Sequence, residues 1–162
     1  MNDVAARLRE TADVAKPRLL SISEQSAGEK PLDEKWSRKE ILGHLIDSAT
    51  NNHQRIVRMQ ASSDIGTLTY EQEQWVKSQH YHQEPWENLV EFWYRYNVHL
   101  AHVIAHADAT ALENKCDMGY ETPATLRFVI EDYVRHVQHH LDQIFNEAGP
   151  LERPRWVQRR PS

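Results

Sequence analysis

His136 and His140 lie four residues apart in the segment from Tyr133 to Ile144, and on a helix that interval aims both imidazoles at one point, one turn apart. An earlier amphipathic segment carries a third histidine, His44. Three imidazoles gathered about a divalent ion leave coordination positions open and its 2+ charge uncompensated, which makes the ion a strong Lewis acid. Such an ion lowers the pKa of a bound water for hydrolysis, or holds a thiol as thiolate for transfer to an electrophile. The same donors serve both reactions and do not choose between them.

The chain has 10 histidines, so an H-x-x-x-H interval arises easily by chance, and His102 and His106 form a second one. Helical geometry separates the pairs, because each residue turns about 100° and the apolar residues define the inward direction. Along the last helical segment Ile130, Val134, Val137, Leu141 and Ile144 point inward, and Tyr133, His136, His140 and Gln143 run along one edge of that face. His139 points away from it. In the preceding segment His99, His102 and His106 fall off the stripe of Trp86, Trp93 and Leu100 and are expected at the surface. His44 sits at the edge of its own apolar face, with Ser48, Asn51 and Arg55 continuing that edge and Asp47 beside it. Alone it reads as a structural histidine; the company of His136 and His140 makes it a candidate ligand. Asp47 and Gln143 are candidates for orienting the imidazoles, and Asn51 and Arg55 for holding an anionic or polar substrate.

Four helices must position these residues, and no segment alternates as a strand does, so the fold class is all-α. The first has Val4, Leu8, Ala12, Ala15, Leu19 and Ile22 on one stripe, with Pro17 expected to kink it near its middle and Ala27-Gly28 to Pro31 marking its end. Ser37 and Glu40 form a capping-box pattern that starts the second, which runs to about Met59 or Ala61. Residues 69–83 form a long connection with a short helix expected around Trp75. Such a connection in a compact domain is often functional. The third helix begins at Pro85-Trp86, and residues 108–121 are expected to be a loop. The fourth starts near Thr122-Pro123 or Thr125 and is expected to stop at Gly149-Pro150. The expected architecture is a four-helix bundle with a long connection between the second and third helices, a usual frame for a metal site.

Composition narrows the function classes. With 162 residues the chain fits one domain, taken as 1–150, followed by a basic tail, 151–162, whose Arg153, Arg155, Arg159 and Arg160 surround Trp156. A formal charge of −5 with both signs mixed gives no field for nucleic acid or anionic membrane. No apolar run reaches the roughly 20 residues of a membrane span, and no signal-peptide pattern opens the chain, so a cytoplasmic protein is expected. Cys116 is the single cysteine; it has no base placed beside it by any motif and reads as buried or incidental.

The stretch from Trp36 to Ser48, including Gly43-His44-Leu45-Ile46-Asp47, followed some ninety residues later by His136-Val137-Gln138-His139-His140-Leu141-Asp142-Gln143-Ile144, resembles the DinB-like superfamily of four-helix metalloproteins, in its YfiT-like branch. The resemblance spans about residues 5–147. By position, the family's three metal histidines fall on His44, His136 and His140, the set selected by helical geometry, and Gln143 stands where the family often has glutamine. The resemblance implies a divalent metal, zinc or nickel, a small-molecule substrate and a homodimer. It further implies either a thiol-dependent S-transferase using a low-molecular-weight thiol or a metal-dependent hydrolase. The alternative from another class is a non-catalytic bundle stabilised by metal, or a ligand-binding module.

Overall fold

Serine and threonine side chains start three of the helices. In the computed structural model, which describes residues 1–62 and 65–146, Ser23 accepts from the backbone N–H of Ser26 and opens α2, Glu24–Gly28. This cap is why the first helix, α1, Asn2–Leu20, ends earlier than the Ala27-Gly28 stop suggested. Pro17 falls in the last turn of α1, not near its middle, and the helix runs through it; the proline costs the one bond its N–H would have made to the Asp13 carbonyl, close to the end of the helix. Ser37 and Glu40 form the expected capping box, with Glu40 accepting the Ser37 backbone N–H at 2.8 Å, and α3 runs from Arg38 to Ala61. The connection that follows holds α4, Gln72–Ser78, and a 3-10 turn, Tyr81–Gln83. Next comes α5, Trp86–Ala105. The expected loop after it contains a strand, β1 (Lys115–Cys116), paired antiparallel with β2 (Ala124–Thr125). Thr125 then caps α6, Leu126–Ile144, by accepting from the Phe128 N–H. Asn146 adopts a left-handed conformation, the usual way for a chain to leave a helix. The helix therefore ends before Gly149-Pro150, which, with the basic tail, lies outside the described residues.

The four long helices form a ring in which α1 packs on α5 and α6, and α3 packs on the same two. Helices successive in the chain, α1 then α3 and α5 then α6, thus stand diagonally, and only α3 and α5 are both successive and adjacent. Crossing a bundle end diagonally requires long connections, which accounts for the segments before α3 and before α6; the middle one joins adjacent helices. Arg38 fixes α3 against α6: its Nε donates to the carbonyl of Ile144 at 3.0 Å and its Nη1 to that of Ser26 at 3.0 Å.

Residues 42–49 of α3 are all buried, because the connection covers the side of the helix that the bundle leaves open. Lys39 anchors it, donating to Glu24 and to the Glu84 carbonyl, while the other oxygen of Glu24 accepts the Trp86 N–H at 2.8 Å. Tyr81 lies across Gly43, and a Cβ built there would meet its ring carbons at 2.1–2.6 Å. The Tyr81 hydroxyl donates to Asp47 at 2.6 Å, and Gln79 donates to the same oxygen. In an exposed helix Gly→Ala stabilises by roughly 0.5–1 kcal/mol. Here the clash with a tethered ring opposes that gain, and overpacking typically costs ~1–3 kcal/mol. Gly43→Ala is expected to lower the urea midpoint, and a raised midpoint would show that the ring does not sit on Gly43.

Candidate metal centre

The capping box and Arg38 settle where the N-terminal part of α3 meets the C-terminal part of α6, and the three histidines lie at that contact. Ring centroids are separated by 5.1 Å for His44 and His136, 4.8 Å for His44 and His140, and 4.3 Å for His136 and His140. One nitrogen from each can be chosen so that all three lie within 4.8 Å of one another. The Nε2 atoms of His44 and His136 are 3.1 Å apart. Two nitrogens each about 2.0–2.1 Å from a tetrahedral ion stand about 3.3 Å apart, so the donors fit a shared divalent cation with little rearrangement. His44 is buried, and His136 and His140 are half-buried. Burial holds His44 down to about 3, with the neighbouring His140 adding a smaller push in the same direction. The imidazole is therefore neutral at ordinary pH, the state a metal requires.

Gln143 is hydrogen-bonded to His140. Its Oε1 lies 2.7 Å from His140 Nδ1, and its Nε2 lies 3.0 Å from His139 Nε2. An amide oxygen only accepts, so His140 carries its proton on Nδ1 and keeps the Nε2 lone pair for the cluster. His139, which helical geometry had set aside as a ligand, thus holds the amide that orients His140. Trp36 lies against His44, with ring centroids 5.2 Å apart.

Beside the cluster is a polar cavity of about 160 Å³, lined by His44, Ser48, Asn52 and Arg55 from α3, by Asp132, Tyr133 and His136 from α6, and by parts of the segments at 69–72 and 118–120. An isolated bridge between Thr67 and Asp117 joins these two covering segments. Asn51 is not on the cavity wall; its Nδ2 donates to the Asp47 carbonyl of its own helix at 2.9 Å. Asn52 occupies the wall instead, because the cavity lies on the opposite side of His44 from Asp47 and Asn51. The Asp47 carboxylate is engaged with Tyr81 and Gln79, and burial raises its pKa. Its hydrogen bonds go to the covering connection.

Asp132 is the acidic residue of the cavity wall, and it was not among the candidates named from the sequence. It stands one turn before His136, so Asp132, His136 and His140 repeat at four-residue intervals along α6, a periodicity that was available in the sequence. Tyr133 is fully buried, and its hydroxyl donates to Asn97 Oδ1 at 2.5 Å. His102 and His106 are exposed, as expected. Cys116 is buried in β1, and burial pushes its thiol up, away from the reactive thiolate form.

The fold is shared with YfiT from Bacillus subtilis, described as a probable metal-dependent hydrolase with an unusual four-helix bundle topology; the TM-score is 0.76 at 14% identity, over 90% of this chain and 83% of that one. A comparison with functionally characterised proteins gives no match. The family model of the DinB superfamily matches residues 7–144, and with nearly the whole described chain inside that match, the protein belongs to the DinB superfamily.

Proposed function

We propose that this protein is a metal-dependent hydrolase of a small molecule, in which His44, His136 and His140 hold one divalent ion, zinc or nickel. The observation that carries this reading is the convergence of three imidazoles from two helices, two of which, His44 and His136, line a polar cavity. An ion held by these three neutral nitrogen donors would supply Lewis-acid activation of water and substrate. A purely structural zinc site normally closes with a fourth protein ligand, and among the described residues the cluster has three members. The description of YfiT as a probable metal-dependent hydrolase points the same way.

The chain's own groups divide the remaining work. Gln143 holds the His140 tautomer. We assign Asp132, on the cavity wall beside His136, the acceptance of the proton released when water attacks, and Arg135, whose Nη2 donates to Asp132 Oδ1 at 3.3 Å, the steadying of that carboxylate. Positioned general bases typically contribute about 10²–10⁴-fold.

Protein stripped and reloaded with zinc or nickel is expected to retain one ion per chain, and a triple His44→Ala, His136→Ala, His140→Ala variant almost none. Equal metal content in both would overturn the site. Against a panel of esters and amides the loaded protein is expected to show metal-dependent hydrolysis. Failure there, with thiol consumed alongside an electrophile, would make it an S-transferase instead. Asp132→Asn should reduce kcat about 10²–10⁴-fold with metal content unchanged; full activity would remove Asp132 from the mechanism.

Acid should weaken the metal-free protein in a defined window. His44 is held at about 3 in the folded chain against an ordinary 6.5, so above pH 6.5 neither state takes the proton. As pH falls from 6.5 toward 3 only the unfolded chain does, and stability declines. The urea midpoint should therefore be lower at about pH 4.5 than at pH 7, with a smaller drop in His44→Gln. An equal drop in the variant would assign the acid sensitivity to other groups.

A further inference from the structure

A cation lines the cavity away from the histidines, and hydrolysis as described above makes no use of it. Arg55 is only 6% exposed and lines the wall beside Asn52. Its Nε donates to the Leu68 carbonyl at 3.1 Å, its Nη2 donates to the same oxygen, and its Nη1 donates to Asn52 Oδ1 at 3.3 Å. Every one of these acceptors is neutral, and Arg55 forms no ion pair among the described residues. Asp132, on the same wall, accepts from Arg135 and forms no ion pair with Arg55, on which its carboxylate acts only at longer range and as the smallest of the electrostatic influences.

A buried guanidinium facing only neutral acceptors retains most of its desolvation cost. Tying down one loop carbonyl does not require a full charge. Each terminal nitrogen of Arg55 also keeps a second N–H beyond the bonds above, and two such donors match the paired oxygens of a carboxylate or phosphate. The spacing is informative as well. Arg55 follows His44 by three turns along the same side of α3, an axial rise of about 16 Å. Both side chains lean toward the N-terminus, and because arginine is longer than histidine the guanidinium stands somewhat closer to the histidines than that rise.

We infer that Arg55 anchors the anionic end of the substrate, so that the site takes a small anion, a carboxylate or phosphate whose charge is held on α3 beyond the histidines. The reacting end of this assignment rests on the metal-site reading of the histidines; the anion end does not.

The test uses matched probes on the zinc-loaded protein: N-benzoylglycine, its neutral amide, and phenyl phosphate, with binding followed by calorimetry or ligand-observed NMR at low salt. At least one anion is expected to bind about tenfold or more tightly than the amide, and whichever does so identifies the anion class. Arg55→Gln should abolish that preference, and Arg55→Lys should keep part of it, since lysine retains the charge but not the paired donors; metal content should be the same in all three proteins. Equal binding of amide and anions by the unmodified protein, or no saturable binding of either anion at millimolar concentration, overturns the inference without recourse to any variant. Persistence of the preference in Arg55→Gln overturns it too. In the triple histidine-to-alanine variant, with its helical content verified, the preference should survive the loss of metal; its disappearance would show that the anion binds the ion and not Arg55. Metal content is measured separately, so failure of the metal site and failure of the anion anchor give different results.

Discussion

The enclosure of α3 is the constraint on which the structure turns. Eight consecutive residues, 42–49, are buried, which a helix in the wall of an ordinary bundle does not achieve, because one side faces water. Here α5 and α6 cover two sides and the connection between α3 and α5 covers the third. Each polar group in that stretch is cut off from solvent and needs either a partner or a purpose. Asp47 has Tyr81 and Gln79. His44 faces two further histidines.

These two solutions are segregated by the helical turn. Taking His44 as the reference, Gly43, Asp47 and Asn51 fall to one side, while Ser48, Asn52 and Arg55 fall to the other, at about 100° per residue. The first side is a seam that closes, with a glycine where a tyrosine ring must approach and a carboxylate to receive its hydroxyl. The second is a wall left open as a cavity. His44 stands on the boundary, so the groups that fasten the cover are not the groups that face a ligand, and either set can change without redesign of the other.

Much of this was legible in the sequence because it is local and periodic. The α3 capping box, the triad of His44, His136 and His140, the exposed His102 and His106, and the short helix near Trp75 all follow from turn angles and cap chemistry. What was not legible depends on partners distant in the chain. Asn51 and Asn52 are both polar residues near one edge of α3, and only the position of α6 and of the covering segments decides which one meets the cavity. Asp132 lay in plain periodic register with the histidines, but Tyr133 next to it, which also lines the cavity, reads as the more prominent edge residue. The β1–β2 pair is two residues long on each side, too short for alternation to register. The ends of α1 and α6 were set by single residues, Ser23 and Asn146, competing with stronger-looking glycine and proline signals downstream.

The diagonal order of the helices also bears on how the chain is held together. His44 and His136 approach to 3.1 Å across a separation of 92 residues, with the whole of α5 threaded between them. An ion shared by them acts as a reversible cross-link closing one of the largest loops in the molecule. Closing a long loop costs chain entropy that rises only slowly with length, and any ligand bound to the native state alone weights that closed state by mass action. Availability of the proposed metal would then bear on the fraction of chains that are folded, in addition to what the cavity can do.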